Sequence, residues 1–266
     1  DDERKSEEVL SHLRAENAHV VERTAHLEGL RGELYKEHIS HLRETDTGSL
    51  SRHGPWFYYT RTVEGLSYKI HCRKPAGPDP EQRQPAEGAA EEVVLDENQV
   101  AEGKTQCVIQ GVQPSPNHEL LAYSTDFTGS ETYTAVFKKL STGEEVADKL
   151  EGCCGGVEWG GDGATVFYTT EDDAKRPWKL WRHVMGQPQG SDVCLFTEED
   201  ELFYLGVGKT TSGRFLVAAS GSSETSEMQV LDLAAGNEGQ LQMIQPRSFG
   251  LRYDVDHSGD SFIVWT

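Results

Sequence analysis

The chain has 266 residues, of which 36% are hydrophobic, and its formal net charge at pH 7 is −20. Because a nucleic-acid backbone attracts Lys and Arg, this acidity argues against a nucleic-acid partner. No apolar run approaches the roughly 20 residues of a membrane helix, so we expect no membrane partner. The five cysteines are odd in number and irregularly spaced, which favours a reducing, cytoplasmic compartment over a disulfide framework.

Residues 5–43 carry a helical pattern. Apolar side chains recur every seven positions, at Leu13, Val20, Leu27 and Leu34. Ser6 precedes two glutamates, as a helix N-cap would, and the glycines Gly29 and Gly32 predict a bend or two separate helices. We predict an N-terminal α-helical arm over residues 1–46. Its apolar stripe needs a covering surface, and the downstream β region is one candidate.

After residue 47 the pattern becomes alternating, which is typical of strands. The segments Trp56–Thr62 and Leu66–Arg73 predict a hairpin, and residues 75–91, rich in Pro, Gly, Ala and Glu, predict a flexible insertion. Further strands with centres near 122, 167, 217 and 263 follow turn signals, at Leu120–Ser124, Thr165–Thr169, Phe215–Ala219 and Ser261–Trp265. No helical segment interrupts them, which disfavours an α/β sheet.

An internal echo supports the same spacing. Ser130-Glu131-Thr132 returns 93 positions later as Ser223-Glu224-Thr225, and a third unit ends at Gly186 between them. Strand-built units of about 45 residues are typical of a β-propeller. We predict a mainly β fold in which residues 47–266 form the first part of a propeller, about four to five blades. The last strand would have an open edge and the chain does not begin with Met, so we expect a longer natural protein.

Ordered motifs along the whole chain carry a resemblance to a known family. They include Asp1-Asp2-Glu3-Arg4, Tyr58-Tyr59-Thr60-Arg61, Leu95-Asp96-Glu97-Asn98, Ser115-Pro116-Asn117, Gly129-Ser130-Glu131-Thr132-Tyr133, Arg176-Pro177-Trp178, Trp181-Arg182-His183 and Glu199-Asp200-Glu201-Leu202-Phe203-Tyr204. The chain resembles the oligopeptidase B branch of the prolyl oligopeptidase family of serine peptidases. The resemblance implies a helical arm, a seven-bladed propeller and a C-terminal α/β-hydrolase domain. The catalytic Ser, Asp and His would then lie beyond Thr266.

The resemblance also implies an activity for the intact protein. It would cleave short peptides after basic residues, with its own hydrolase domain as a partner and the propeller as a size filter, and without a cofactor. This chain alone would be inactive. Two alternatives stay open: a non-catalytic propeller scaffold that binds another protein, and a proline-specific oligopeptidase.

Two acidic clusters are the candidate site residues: Glu171, Asp172 and Asp173, and then Glu198, Glu199, Asp200 and Glu201. Both stand at or beside strand ends, where the loops of a propeller gather. Their carboxylates could attract cationic peptides, since a focused field raises encounter rates, or contact the hydrolase domain. The simpler interpretation is a pair of solvated loops.

Other reactive residue types are weaker candidates. Gly152-Cys153-Cys154-Gly155-Gly156 imitates a nucleophile motif, but a strand pattern follows where a thiolate would need a helix. Histidines seven residues apart, at His12, His19 and His26, are about 10 Å apart along a helix, too far for one metal. His38 and His41 lack an acidic or thiol partner at a metal-binding spacing, so we predict no metal site.

Five aromatic residues are expected to pack between blades: Trp56, Trp159, Phe167, Phe215 and Trp265.

Overall fold

The structure is a computed structural model that describes residues 4–79 and 81–266. The first three residues of the Asp1-Asp2-Glu3-Arg4 motif, and Pro80 within the predicted insertion, lie outside the described residues.

The N-terminal arm is helical. Helix α1 (Glu7–Thr24) is followed by a 3-10 turn (Ala25–Leu27) and helix α2 (Glu28–Ser40), so the predicted break occurs just before Gly29. Ser6 occupies the N-cap position as predicted. None of the residues in these three elements is buried. The downstream β region, one candidate for covering the leucine stripe, therefore does not bury it.

The rest of the chain is built from antiparallel strands in successive four-stranded blades. Blade one contains β1 (Ser51–His53), β2 (Trp56–Arg61), β3 (Ile70–Pro75) and β4 (Glu92–Asp96), and a short helix α3 (Glu97–Val100) follows it. Blade two contains β5 (Val108–Pro114), β6 (Leu120–Asp126), β7 (Tyr133–Lys139) and β8 (Glu145–Cys153).

Blade three contains β9 (Glu158–Trp159), β10 (Thr165–Glu171), β11 (Pro177–Val184) and β12 (Val193–Thr197), with a 3-10 turn (Gln189–Ser191) before β12. Blade four contains β13 (Tyr204–Lys209), β14 (Phe215–Gly221), β15 (Ser226–Asp232) and β16 (Gln242–Gln245). The hairpin of β17 (Asp254–Ser258) and β18 (Ser261–Trp265) begins a fifth. The predicted mainly β, partial propeller is confirmed.

One predicted strand was too long. Leu66–Arg73 was expected to be extended throughout, but β3 begins only at Ile70. The side chain of Asn98 explains the difference, because it accepts from the backbone N of Tyr68 at 3.0 Å and donates to its carbonyl at 3.0 Å. These backbone groups are thereby paired without a neighbouring strand.

The segment between β3 and β4, described over residues 76–79 and 81–91, is anchored to strands β1 and β2 of blade one. The Arg52 guanidinium donates to three carbonyls of this connection, those of Gly77, Asp79 and Gln82. At the far end, Glu91 accepts from Tyr59 and Arg61. The flexibility of the insertion stays a prediction.

The sequence echo corresponds to a displacement of two blades. Ser130-Glu131-Thr132 lies between the second and third strands of blade two, and Ser223-Glu224-Thr225 lies in the same connection of blade four. Gly143, Gly186 and Gly236 each follow the third strand of a blade and have positive φ angles of 76°, 85° and 117°. A left-handed turn is easiest for glycine, which explains its recurrence there.

Apolar side chains fill each interface between neighbouring blades. In β10, Val166 and Tyr168 pack against blade two, whereas Phe167 packs against blade four. Such alternation follows from the period-two geometry of a strand buried on both faces. The first and second blades, and the fourth and fifth, are joined by similar buried clusters.

The aromatic predictions hold in part. Trp159, Phe167 and Phe215 are buried between blades, and Trp56 is half-buried beneath the guanidinium of Arg73. Trp265 was expected to be buried too, but it is 52% exposed because no described blade covers its face of β18.

Blades two and three share backbone pairing. Cys153, at the end of β8, is paired with Tyr133 in β7 of its own blade and with Thr170 in β10 of the next blade. The two blades therefore form one continuous eight-stranded sheet, whereas the other described blades form separate sheets.

Candidate functional site

Five residues of the two acidic clusters line one cleft of about 470 Å³, namely Asp172, Asp173, Glu198, Glu199 and Glu201, whereas Glu171 lines a different cleft. The first cluster lies in and just after the end of β10, and the second cluster lies between β12 and β13. In an up-and-down blade, connections of these two kinds leave the sheet at the same end. The cleft is lined by Asp172, Asp173, Ala174, Arg176, Trp178, Glu198, Glu199, Glu201 and Tyr204.

Glu198 is a buried ion-pair partner and not part of an exposed rim. Its carboxylate lies 2.7 Å from Nη2 of Arg247, which reaches it from the connection between β16 and β17, and it also accepts from the hydroxyl of Ser220. Burial raises the pKa of Glu198, but the hydrogen bonds from Arg247 and Ser220 outweigh burial and hold this pKa below its ordinary value. Because this carboxylate is buried and paired with Arg247, it contributes less to the field at the cleft than an exposed acid would, and its role in attracting peptides stays a prediction.

Glu171 and Asp172 are also paired within the chain. Glu171 contacts Lys175 and accepts from Thr132, while Asp172 lies 2.9 Å from Nε of Arg176. Backbone and side-chain hydrogen bonds from Arg176 lower the pKa of Asp172. These carboxylates shape the loop, and little of their charge is left over for a ligand.

The uncompensated charge belongs to Asp173, Glu199 and Glu201. None of the three forms an ion pair within residues 4–79 and 81–266, and Asp200 has only a distant one, 3.9 Å from Nη1 of Arg247. Two aromatic rings, Trp178 and Tyr204, line the same cleft. The arrangement can receive a cationic group, and the roles of Glu171, Asp172, Asp173, Asp200 and Glu201 stay predictions.

Sequence reasoning missed the two arginines that organise the cleft. Arg176 was visible only as part of the Arg-Pro-Trp motif, and Arg247 stands alone in a polar stretch with no pattern around it. Arg176 pairs with Asp172, 4 residues away, whereas Arg247 pairs with Glu198, 49 residues away. A pair so far apart in the chain leaves no signal in a single sequence.

The cysteine motif is a turn between blades. Strand β9 follows it, and no helix N-terminus is present to stabilise a thiolate. Burial raises the pKa of Cys153 to about 12 and that of Cys154 to about 11. Both thiols are therefore protonated at neutral pH, and neither is an activated nucleophile.

The histidines of the arm lie on exposed helix surface. His12 and His19 belong to α1 and His26 to the 3-10 turn. Within residues 4–79 and 81–266, no three His, Cys, Asp or Glu side chains converge as a metal site would require. No helix in these ranges is long and apolar enough to cross a membrane.

Successive blades around a common axis define the chain as the beginning of a propeller, and comparison with known proteins identifies its family. The profile described as "Prolyl oligopeptidase, N-terminal beta-propeller domain" matches residues 1–266. The chain belongs to this family.

Individual relatives match over nearly the whole chain. Dipeptidyl aminopeptidase BI of Pseudoxanthomonas mexicana is 33% identical over 273 residues, covering 100% of this chain and 38% of the relative. Oligopeptidase B from Leishmania major has a TM-score of 0.90 at 41% identity, covering 99% of this chain and 36% of the other.

Oligopeptidase B from Trypanosoma brucei, in a closed form with covalently bound antipain, has a TM-score of 0.88 at 46% identity and the same coverage. The chain thus spans between a third and two fifths of the length of these relatives.

Proposed function

We propose that this chain is the N-terminal arm and partial propeller of a cytosolic serine oligopeptidase that cleaves short peptides after basic residues. The observation that carries the proposal is the likeness over 99% of the chain to two oligopeptidase B structures, at 41% and 46% identity. The free state of all five cysteines supports a reducing compartment.

In this proposal the chemistry resides in a hydrolase domain outside these 266 residues. There a serine attacks the scissile carbonyl, a histidine acts as the general base and an aspartate orients the histidine. The propeller restricts access, so that an extended peptide reaches the serine and a folded protein does not.

In this proposal the cleft between blades three and four attracts cationic peptides. Asp173 and Glu201 are uncompensated, and Asp200 is only weakly paired, so a peptide with Lys or Arg meets a negative field at this end of the propeller. Fields of this kind raise association rates and are screened by salt.

The proposal is tested with the full-length protein and short fluorogenic peptides. We expect cleavage after Arg or Lys, no cleavage after Pro, and resistance of a folded substrate that carries the same Arg sequence in a surface loop. Absence of cleavage of every short peptide would reject the peptidase and leave the scaffold alternative. Cleavage after Pro alone would assign the other specificity.

The attraction of cationic peptides by the acidic cleft is tested separately. The double variant Asp173→Asn/Glu201→Gln is expected to lower kcat/KM for a cationic peptide by about two- to fivefold at low salt, because the encounter slows. The difference should vanish in high salt. Glu238→Gln is the matched control, an exposed acid in the turn before β16. An equal loss in both variants would contradict a local role for the cleft.

A further inference from the structure

A cavity of about 260 Å³ lies between blades one and two. Its walls come from blade one and from strands β5 and β6 of blade two. In the described part of the chain, no strand pairing links these two sheets. The shape of the cavity therefore depends on how the side chains of two separate sheets meet, and not on a hydrogen-bonded backbone.

The apolar part of the lining is buried. Val94 and Leu121 are 3% and 0% exposed and belong to the hydrophobic cluster between the two blades, and Val112 packs against the same cluster. Val112 lies in an irregular part of β5, where the register with β6 shifts between Gln110 and Gln113. Irregularities of this kind re-aim a side chain and are common beside functional sites. Here the strand irregularity contributes Val112 to the cavity lining.

Residues in and beside β1 and β2 supply four hydroxyl groups to the lining, those of Ser49, Ser51, Tyr58 and Thr60. The Ser51 hydroxyl lies 3.2 Å from Nε2 of His53, and the Tyr58 hydroxyl lies 2.9 Å from Nδ1 of His118. Within residues 4–79 and 81–266, the other two hydroxyls have no hydrogen-bond partner. They can therefore bond a ligand without giving up an existing contact.

Thr60 is the better placed of these two residues, because it is half-buried whereas Ser49 is exposed. Strand β1 begins only at Ser51, so the neighbour of Thr60 is Gly48, whose backbone N donates to the Thr60 carbonyl at 2.8 Å. A Cβ atom on Gly48 would lie 3.2 Å from Oγ1 of Thr60, so the absence of a side chain there leaves the hydroxyl uncovered. A half-buried hydroxyl without a partner is unfavourable, and a ligand that bonds it removes that cost.

The lining favours a neutral ligand. None of the described residues that line the cavity is Asp, Glu, Lys or Arg. Burial lowers the pKa of His118, the partner of Tyr58, and the charges of Arg73 and His53 lower it further, so this imidazole is neutral at pH 7. An ion that entered would lose its hydration without gaining a counter-ion. The net charge of −20 also repels anions.

We propose that this cavity binds a small neutral aromatic molecule of about two fused rings that carries one N–H or O–H group. A dry cavity of about 150 Å³ holds one benzene ring, so a cavity of about 260 Å³ suits a bicyclic molecule. The rings lie against Val94, Val112 and Leu121. The N–H or O–H group donates to the hydroxyl of Thr60 and fixes the orientation. This inference goes beyond the proposed function and does not depend on it.

The test uses the full-length protein and two bicyclic probes of nearly equal size, indole and benzofuran, of which only indole has an N–H donor. Ligand-detected NMR titrations measure both dissociation constants. We expect both probes to bind, with dissociation constants on the order of 0.1–1 mM for ligands this small. Indole should bind about three- to tenfold more tightly, which is the net worth of one hydrogen bond. Absence of saturable binding of either probe overturns the proposal.

Val112→Phe locates the site, because its larger side chain occupies the cavity. It is expected to weaken the binding of both probes by more than about tenfold. Val184→Phe is the control, since it adds the same side chain at the exposed end of β11 in blade three and should change neither affinity. Unchanged affinities in Val112→Phe would show that the probes bind elsewhere and would overturn the proposal.

Thr60→Val tests the orienting hydroxyl. Valine has nearly the shape of threonine, so benzofuran binding should persist while the preference for indole disappears. Because this measurement compares two ligands on one variant, it does not depend on the stability of that variant, and it decides the matter if Val112→Phe does not fold. A preference for indole that persists in Thr60→Val overturns the assignment of Thr60 as the partner of the ligand.

Discussion

A Cβ atom placed on Gly111 would lie 2.2 Å from the Cα of Gly156. These glycines belong to the inner parts of blades two and three, where the two backbones meet without side chains between them. Gly111 also has a φ of 59°, a conformation that is unfavourable for a residue with a side chain.

Gly156→Ala is expected to destabilise the chain by about 2–4 kcal/mol, because the backbones of two blades must separate to accept one methyl group. Gly208→Ala in β13 is the control, since no atom lies within 4 Å of its added methyl group. Urea unfolding measures both. Equal stability of the two variants would show that the close approach is not required.

Arg247→Ala is expected to cost about 3–5 kcal/mol, because it leaves the carboxylate of Glu198 buried without its cation. The matched control is Arg214→Ala, which removes an exposed pair with Asp232 and should change little. The double variant Arg247→Met/Glu198→Gln should recover part of the loss. A cost for Arg247→Ala no greater than that of the control would contradict a structural role for the buried pair.

His118 gives a pH-dependent contribution to stability. Burial lowers its pKa, and the nearby charges of Arg73 and His53 lower it further. The folded state therefore binds this proton less readily than the unfolded state, whose histidines titrate near 6.5. Stability from this group is complete above pH 6.5 and decreases as the pH falls through the folded pKa.

Replacement with asparagine removes that titration. Asn tolerates the left-handed conformation that His118 adopts, with φ of 59°. We expect His118→Asn to lose less stability than the parent between pH 7.5 and 5.5, measured by urea unfolding. His38→Gln, on the exposed arm, should retain the parental pH dependence. Parallel curves for the parent and His118→Asn would refute the assignment.

The five thiols should differ in reactivity. Cys194 is exposed, whereas Cys72 and Cys153 are buried, and burial raises the pKa of Cys72 to about 11. A brief treatment with maleimide at pH 7.5, followed by peptide mass mapping, is expected to modify Cys194 first. Modification of Cys153 at a comparable rate would show that blades two and three open readily.

The sequence predicted the repeat well, because each blade reproduces its turn and its alternating strand. Thr165 and Phe215 were identified correctly as strand starts because Gly163 and Gly213 precede them with positive φ angles. In blade two, His118 occupies the equivalent position, and Leu120 was identified correctly as a strand start from the turn signal Ser115-Pro116-Asn117 instead.

The candidate site was predictable only in outline. The acidic clusters were recognised, and most of their members do line one cleft, but single-sequence reasoning could not show which charges would be paired within the chain. That outcome depends on Arg176 and Arg247, whose contacts arise from the packing of neighbouring loops.

Cys153 pairs with strands of both blade two and blade three, so the interfaces between neighbouring blades are not all held together in the same way. Blades two and three can separate only by breaking main-chain pairing. In the described part of the chain, no strand pairing links blade one to blade two or blade three to blade four. We therefore expect an opening between blades to begin at those other interfaces, with blades two and three moving together. The cleft between blades three and four lies at one of these interfaces.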